Sequence, residues 1–387
     1  MPANLGRLRQ HLTPFNVVAA LVIAAGVPLA FVRFTSGLAA VTNLSDANPW
    51  GLWIGFDVLS GVALAAGGFT LATAVHIFRL DRYLPIVRSA VLTGFLGYFF
   101  VVVGLCFDLG RPWRLPNPIL GRFGVTSVMF EVGWCVFLYL TVLFLEVSPA
   151  ILEWLGWKRV RSWSMRLTIV LSVSGMVLST LHQSSLGSLF LIAPGRLHPL
   201  WYSPYLPVFF FVSAAAAGLA MVIVEGALSH VFFHDRIAPA LRESFDSLTL
   251  GLGKAAAVVL FAYFGIKVVG VASDDHWSLL ATPYGLLFLV EVLGFVGLPC
   301  VLFTWGYRNQ RVRAVRVAAV LTVVGIVLNR LNIAVIALGW RADSVYTPSF
   351  SEVATSVAIV MTGIVVFRWI VRRMPILDEH VEYKWRH

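Results

Sequence analysis

Charge is what this chain has least of. Asp, Glu, Lys and Arg make up 12% of its 387 residues, about half the share of a soluble domain, and too few to wet the surface of a water-borne fold. Cysteine is nearly missing as well: Cys106, Cys135 and Cys300 all fall in apolar runs and show no CxxC spacing. An iron–sulfur cluster needs about four thiolates, so none is expected in this chain, and each cysteine reads as a small buried hydrophobe. Histidine inside apolar runs is equally sparse, with His182 well inside one and His76 and His230 near the ends of theirs. A b-type haem takes axial ligands such as paired histidines from facing helices, so haem is not expected either. No small-residue cleavage site follows the first apolar run, which contains Arg33; it reads as a retained anchor, not a signal peptide.

What is present is hydrocarbon-compatible sequence, 59% hydrophobic. Apolar runs of about twenty residues, long enough to cross ~30 Å as helix, recur along the chain. They predict an all-α integral membrane protein, a single polytopic domain over 1–387, with ten transmembrane helices. The spans fall at 15–37, 51–77, 87–107, 125–147, 164–186, 206–232, 250–272, 285–306, 314–338 and 351–372, bounded by charged and Pro/Gly segments such as Asp81 to Pro85 and Arg111 to Pro118.

The net charge of +10 would suit nucleic acid, but the cations sort by topology instead. Arg7, Arg9, Arg79, Arg82, Arg88, Lys158, Arg159, Arg161, Arg166, Arg236, Arg242, Arg308, Arg311, Arg313, Arg316, Arg372 and Arg373 all fall on the side that carries the N-terminus. By the positive-inside rule that side is cytoplasmic, which puts both termini inside and requires an even number of spans. The opposite loops are lean in charge, apart from one basic loop with Arg111, Arg114 and Arg122.

Ionisable groups within hydrocarbon cost several kcal/mol unless paired, neutralised or wetted, so each is a functional candidate. Asp57, Glu131 and Glu291 lie five to seven residues inside spans entered from the outer side, about 8–10 Å deep at ~1.5 Å per residue. They predict an outer acidic tier, with Arg330 at similar depth to neutralise one of them. Asp57 with Arg330 reads equally as a structural ion pair. Glu225, Lys254 and His230 lie nearer the inner face, Lys267 and His182 nearer the outer half. Glu225 and His230 read either as functional or as markers of a helix end, and Lys254 as functional or snorkelling. Glu131 has no cation nearby in sequence and is the leading proton-carrier candidate, because apolar surroundings favour the neutral form of a carboxylic acid.

Outer-side loops add aromatic and polar groups from several helices at one level: Asn48-Pro49-Trp50-Gly51-Leu52-Trp53, Asp108-Leu109-Gly110-Arg111, His182-Gln183-Ser184-Ser185 and His198-Pro199-Leu200-Trp201. Tryptophan at this depth also reads as an aromatic belt. Together these groups suit a small molecule with polar oxygens and an apolar tail, such as a quinone. Two other readings stand beside it: a secondary transporter, although no matched pair of Gly/Pro breaks is visible, and a purely structural membrane anchor.

These segments carry a resemblance. Pro49-Trp50-Gly51-Leu52-Trp53-Ile54-Gly55-Phe56-Asp57, Asp108-Leu109-Gly110-Arg111, Ser127-Val128-Met129-Phe130-Glu131, Leu181 to Leu189, His198-Pro199-Leu200-Trp201 and Glu225-Gly226 resemble the NrfD/PsrC family of membrane subunits of respiratory oxidoreductases. The similarity is greatest to the HybB-type subunits of hydrogenase-2-type nickel–iron hydrogenases. The resemblance implies two four-helix bundles, about 51–190 and 200–340, flanked by helices 15–37 and 351–372. It also implies no haem or metal in this subunit, and a quinone (menaquinone or ubiquinone) as substrate near the outer face. The partners it implies are a ferredoxin-like iron–sulfur subunit and the large and small subunits of a periplasmic hydrogenase. Carried onto this chain, the quinone pocket involves Trp50, Asp57, Asp108, Arg111, His182 and Gln183. Proton transfer involves Glu131, Glu225, Asp57 and Arg330, and Arg111, Arg114 and Arg122 dock the partner.

Overall fold

A computed structural model describes residues 13–121, 124–192 and 194–377. Arg7, Arg9 and Arg122 lie outside the described residues. Among the described residues the regular structure is helical throughout, and ten helices are long and apolar enough to cross a membrane. These are α1 Pro14–Ser36, α2 Trp53–His76, α3 Asp81–Asp108, α4 Val128–Trp154, α5 Thr168–Ile192, α6 Leu206–Phe232, α7 Leu241–Ser273, α8 Pro283–Arg308, α9 Val312–Ala337 and α10 Phe350–Arg373. The chain is a multi-pass integral membrane protein. An even number of crossings leaves residues 13 and 377 on one side, the terminal face; the connections after α1, α3, α5, α7 and α9 form the far face.

Helix ends follow local chemistry. Thr13 caps α1 by accepting from the Asn16 amide at 3.3 Å, with Pro14 in the first turn. Ser349 and Glu352 form a reciprocal capping box at the start of α10. Two spans differ from the sequence reading in ways that matter. α4 begins at Val128 and continues through Pro149 to Trp154, so its polar residues sit at other depths than expected. The basic stretch Lys158–Arg166 forms a short helix of its own before α5, because four cations cannot enter hydrocarbon together.

α2, α3, α4 and α5 pack in a ring, as do α6, α7, α8 and α9, and α6 joins the rings by lying against α2 and α5. The junction is tight. A Cβ on Gly218 of α6 would lie 2.6 Å from the Gly67 nitrogen of α2, the close backbone approach that glycine permits between membrane helices. α1 and α10 pack on each other, and α10 leans on α3. Three spans contain π-helical segments: Trp53–Ser60 in α2, Val290–Gly297 in α8 and Asn332–Ala337 in α9. Each carries a buried polar side chain, Asp57, Glu291 and Asn332; such local widening of the helix is frequent at functional positions.

Candidate functional site

Asp57 and Asp108 meet on one side of α3, under the far face. Asp57 is buried against Gly104, where a Cβ would sit 2.9 Å from the aspartate Cβ, and accepts a 2.5 Å hydrogen bond from Ser356 of α10. Asp108 closes α3 beside Arg33 of α1, whose guanidinium donates to the Phe107 and Leu109 carbonyls at 2.6 Å each. The Asp108 Oδ1 is buried with no partner. Nearby, Glu352 is 1% exposed and gathers the loops. It accepts from Tyr346 Oη at 2.5 Å, the Ser349 amide at 2.8 Å and the Asn43 amide at 3.2 Å. Trp53 donates to the Glu352 carbonyl at 3.2 Å. The sequence reading passed over Glu352, although the Ser349-x-x-Glu352 spacing is a capping signature.

His182 faces the other way, into the ring of α2 to α5. It is 1% exposed, and neither ring nitrogen has a hydrogen-bond partner. Tyr98 of α3 stands edge-on to it with centroids 5.7 Å apart, and Tyr139 of α4 stands edge-on to Tyr98 at 4.6 Å. The Tyr98 hydroxyl and Gln183 Oε1 are likewise buried without partners. Leaving a buried polar group unsatisfied costs about 1–3 kcal/mol, and several orphans in one place mark a site built for something other than packing. Trp50 is half-buried and edge-on to Phe190 at the end of α5, centroids 5.2 Å apart.

The six residues expected to share one pocket therefore fall into groups. Asp57 and Asp108 face α10 and α1; Trp50, His182 and Gln183 belong with α5; Arg111 is exposed in the far-face loop, as is Arg114. Tyr98 is the missed member, a polar ring in the middle of an apolar span that gives no signal on its own.

Glu131 corrects an expectation of depth. Because α4 starts at Val128, the carboxylate sits in its first turn and is exposed, accepting from Ser185 Oγ at 2.5 Å. Ser185 lies one helical turn from His182 on α5, so Glu131 connects that histidine's surroundings with the far face, not with the membrane centre.

Arg330 corrects another. It does not pair with Asp57 but belongs to the second ring, donating to Ser213 Oγ at 2.8 Å and Asn329 Oδ1 at 2.7 Å, and stacking 3.8 Å over Phe210. Its counter-charge is Glu291, which accepts from Asn329 at 2.6 Å, Asn332 at 2.7 Å and Trp201 at 3.0 Å, and pairs with Lys267 at 3.5 Å. A carboxylate with four donors is fixed in place, as an interior ion needs to be.

Toward the terminal face two acids are enclosed, Glu225 on α6 and Glu146 on α4. Glu225 accepts from Ser229 at 2.8 Å and lines a cavity of about 20 Å³ with Ser89 and Gly226, room for about one water. Glu146 accepts from Ser172 at 2.9 Å, while its Oε2 is buried without a partner. It lines a cavity of about 90 Å³ with His76, Arg88, Ser164 and Thr168. Glu146 was missed because it stands near the expected end of its span, where a charge reads as a helix terminus.

Comparison with known proteins matches residues 40–339 to the family model described as polysulphide reductase, NrfD. A Nitratidesulfovibrio vulgaris protein is 52% identical, over 97% of both chains. A probable Ni/Fe-hydrogenase 2 b-type cytochrome subunit of Escherichia coli is 34% identical, over 89% of this chain and 88% of its own. The integral membrane subunit of the Nitratidesulfovibrio vulgaris menaquinone reductase is 28% identical, over 92% and 90%.

The Escherichia coli name corrects the expectation of a haem-free subunit, since that relative is called a cytochrome. Among the described residues, the histidines in and beside the spans do not fit a haem held between facing helices. His182 packs on Tyr98, while His198 lies between Tyr284 and Trp340, 4.6 and 5.0 Å from their rings. His76 opens on a cavity of about 90 Å³, far below the ~300 Å³ at which cofactor pockets begin. With a family model covering 40–339 and a 34% identical relative matched over 89% of its length, the chain belongs to the NrfD family of polysulphide reductase-type membrane proteins.

Proposed function

We propose that this chain is the quinone-reactive subunit of a respiratory oxidoreductase complex, of hydrogenase-2 type, exchanging electrons between an iron–sulfur partner on the far face and quinone in the membrane. The observation that carries this reading is His182, sealed under the far face with both ring nitrogens free and the Tyr98 ring, whose hydroxyl is also unpaired, edge-on to it. Reduction of a quinone adds two electrons and two protons to its carbonyl oxygens. A neutral imidazole offers one donor and one acceptor for such an oxygen, and the half-buried Trp50 packs on Phe190 at the end of the same helix. Menaquinone reductase among the relatives supports the substrate class.

Electrons come from the partner's clusters, and exposed Arg111 and Arg114 supply a basic landing surface on an otherwise cation-poor face. The cations of the terminal face make that side cytoplasmic and the far face periplasmic. Glu131, exposed at the far face and tied through Ser185 to the turn that carries His182, exchanges protons with that side. Asp57 and Asp108 stand on the other side of α3, against α10 and α1, away from His182.

The test is kinetic, on the intact complex. His182→Ala should lower quinone-linked turnover by about a hundredfold, and Glu131→Gln by about tenfold, the scale of a lost proton-transfer group. Reduction of a dye that takes electrons upstream should be unchanged in both. Wild-type quinone rates in His182→Ala would overturn the reading.

A further inference from the structure

Among the described residues, Arg316 Nε, Arg330 Nε, Asn332 Oδ1 and Trp340 Nε1 are unsatisfied on or just after α9, but more of the unsatisfied buried polar atoms gather in the first ring. Thr73 Oγ1, Thr93 Oγ1, Tyr98 Oη, Asp108 Oδ1, Glu146 Oε2, both nitrogens of His182 and Gln183 Oε1 all belong to α2 to α5, spread from the far face to the terminal face. We propose that Glu146 and the cavity around it form the terminal-face mouth of a proton route that rises inside this first ring to His182; the proposal rests on the quinone reading of His182.

Register places the parts in line. α4 and α5 run antiparallel, with Glu131 bonded to Ser185 at one end and Glu146 to Ser172 at the other. Tyr139 lies two turns above Glu146 on the same face of α4, and His182 lies ten residues above Ser172 on α5, about 15 Å at ~1.5 Å per residue. The Tyr139 and Tyr98 rings bridge the upper part of that distance to His182. Below them the cavity of about 90 Å³ has room for a few waters. Its wall is mostly apolar, but beside Glu146 it carries His76 of α2, Arg88 of α3, Ser164 of the short basic helix and Thr168 at the start of α5, polar groups that can hold water. The unpartnered Glu146 oxygen gives such a chain of waters its terminal acid. Glu225 lies in a separate, smaller cavity shared with α6 and α7 residues, and is not on this line.

The step balances simply. As quinone receives two electrons from the partner's iron–sulfur clusters, its oxygens take two protons. A proton that Glu146 releases upward is replaced from the water on the terminal side, leaving the carboxyl as it began. Protons drawn this way cross most of the membrane, whereas protons taken through Glu131 do not.

The experiment uses the complete complex in sealed vesicles with a pH-sensitive dye on one side, and menaquinone as acceptor. Glu146→Gln should slow quinone-linked turnover about tenfold, abolish proton uptake from the terminal-face compartment and leave dye-linked turnover intact; Glu146→Asp should restore uptake in part. Infrared difference spectra with and without electron donor should contain a carboxyl band that shifts in deuterium oxide and is missing from Glu146→Gln. Should Glu146→Gln fail to assemble, Ser172→Ala, which removes only the hydrogen bond to the acid, should shift the same band and slow uptake. Unchanged uptake and turnover in an assembled Glu146→Gln complex, or a band insensitive to deuterium, would overturn the route. A wild-type complex unable to reduce quinone would instead overturn the quinone reading, and the infrared band would still judge whether Glu146 meets water.

Discussion

His182 and Glu291 are buried to the same degree, at 1% exposure each, yet they differ in their partners. Glu291 has every lone pair engaged and a lysine beside it; His182 has nothing on either nitrogen. The first is architecture and the second is available for chemistry. Breaking the architecture is costly, because removing one partner leaves a buried charge uncompensated. Lys267→Met should destabilise the folded protein by about 3 kcal/mol, read as a loss of thermal midpoint in detergent. The double variant Lys267→Met with Glu291→Gln should recover most of it, and no recovery would show that the lysine acts through packing instead. His198, in the far-face loop, carries a pH dependence. Burial lowers the affinity of its imidazole for a proton, and the charge of His276 adds to this. The folded state thus holds His198 neutral, with Nδ1 accepting from the Leu200 amide at 3.2 Å, while the unfolded chain protonates near its ordinary value of about 6.5. The unfolded state binds more protons below that value, so stability falls as pH drops through about 6.5. His198→Asn should flatten that part of the profile of thermal midpoint against pH.

At the scale of helices, α10 depends on its first turn. Ser349→Ala removes the cap and should cost about 1 kcal/mol. Since Ser349 also donates to the Val41 carbonyl at 2.6 Å, protease sensitivity of the 41–52 loop should rise with it. An unchanged digestion rate would show that Glu352 and Tyr346 hold the loop alone. The same scale explains what the sequence made legible. Spans of twenty apolar residues are set by the thickness of hydrocarbon, so all ten helices could be read from composition, and their ends from Pro14, Pro85 and Pro207 near helix starts. Facing was not legible. Asp57 and Arg330 match in charge and depth, but rotation about each helix axis decides partners. Rotation follows from packing such as Gly104 on Asp57 and Gly218 on Gly67, and π-helical segments shift it further. Tyr98 escaped notice for the same reason: a single polar residue in an apolar run does not announce which way it points.

Across the whole molecule, the two rings of four helices hold different polar interiors. That of α6 to α9 closes on Glu291 with four donors, leaving Arg330 Nε and Asn332 Oδ1 unpaired, while that of α2 to α5 is left more open in its hydrogen bonding from His182 to Glu146. One ring thus braces the other, and α1 with α10 backs the carboxyl group of Asp57 on the far side of α3. The account stands on quinone binding within the first ring, beneath the far face, beside His182. Photolabelling the intact complex with an azido-quinone, followed by peptide mapping, tests that directly. The account predicts adducts on α3 and α5 around Tyr98 and His182 that excess menaquinone suppresses. Adducts confined to α6–α9 or to the lipid-facing sides of α1 and α10, or labelling that menaquinone does not displace, would contradict it.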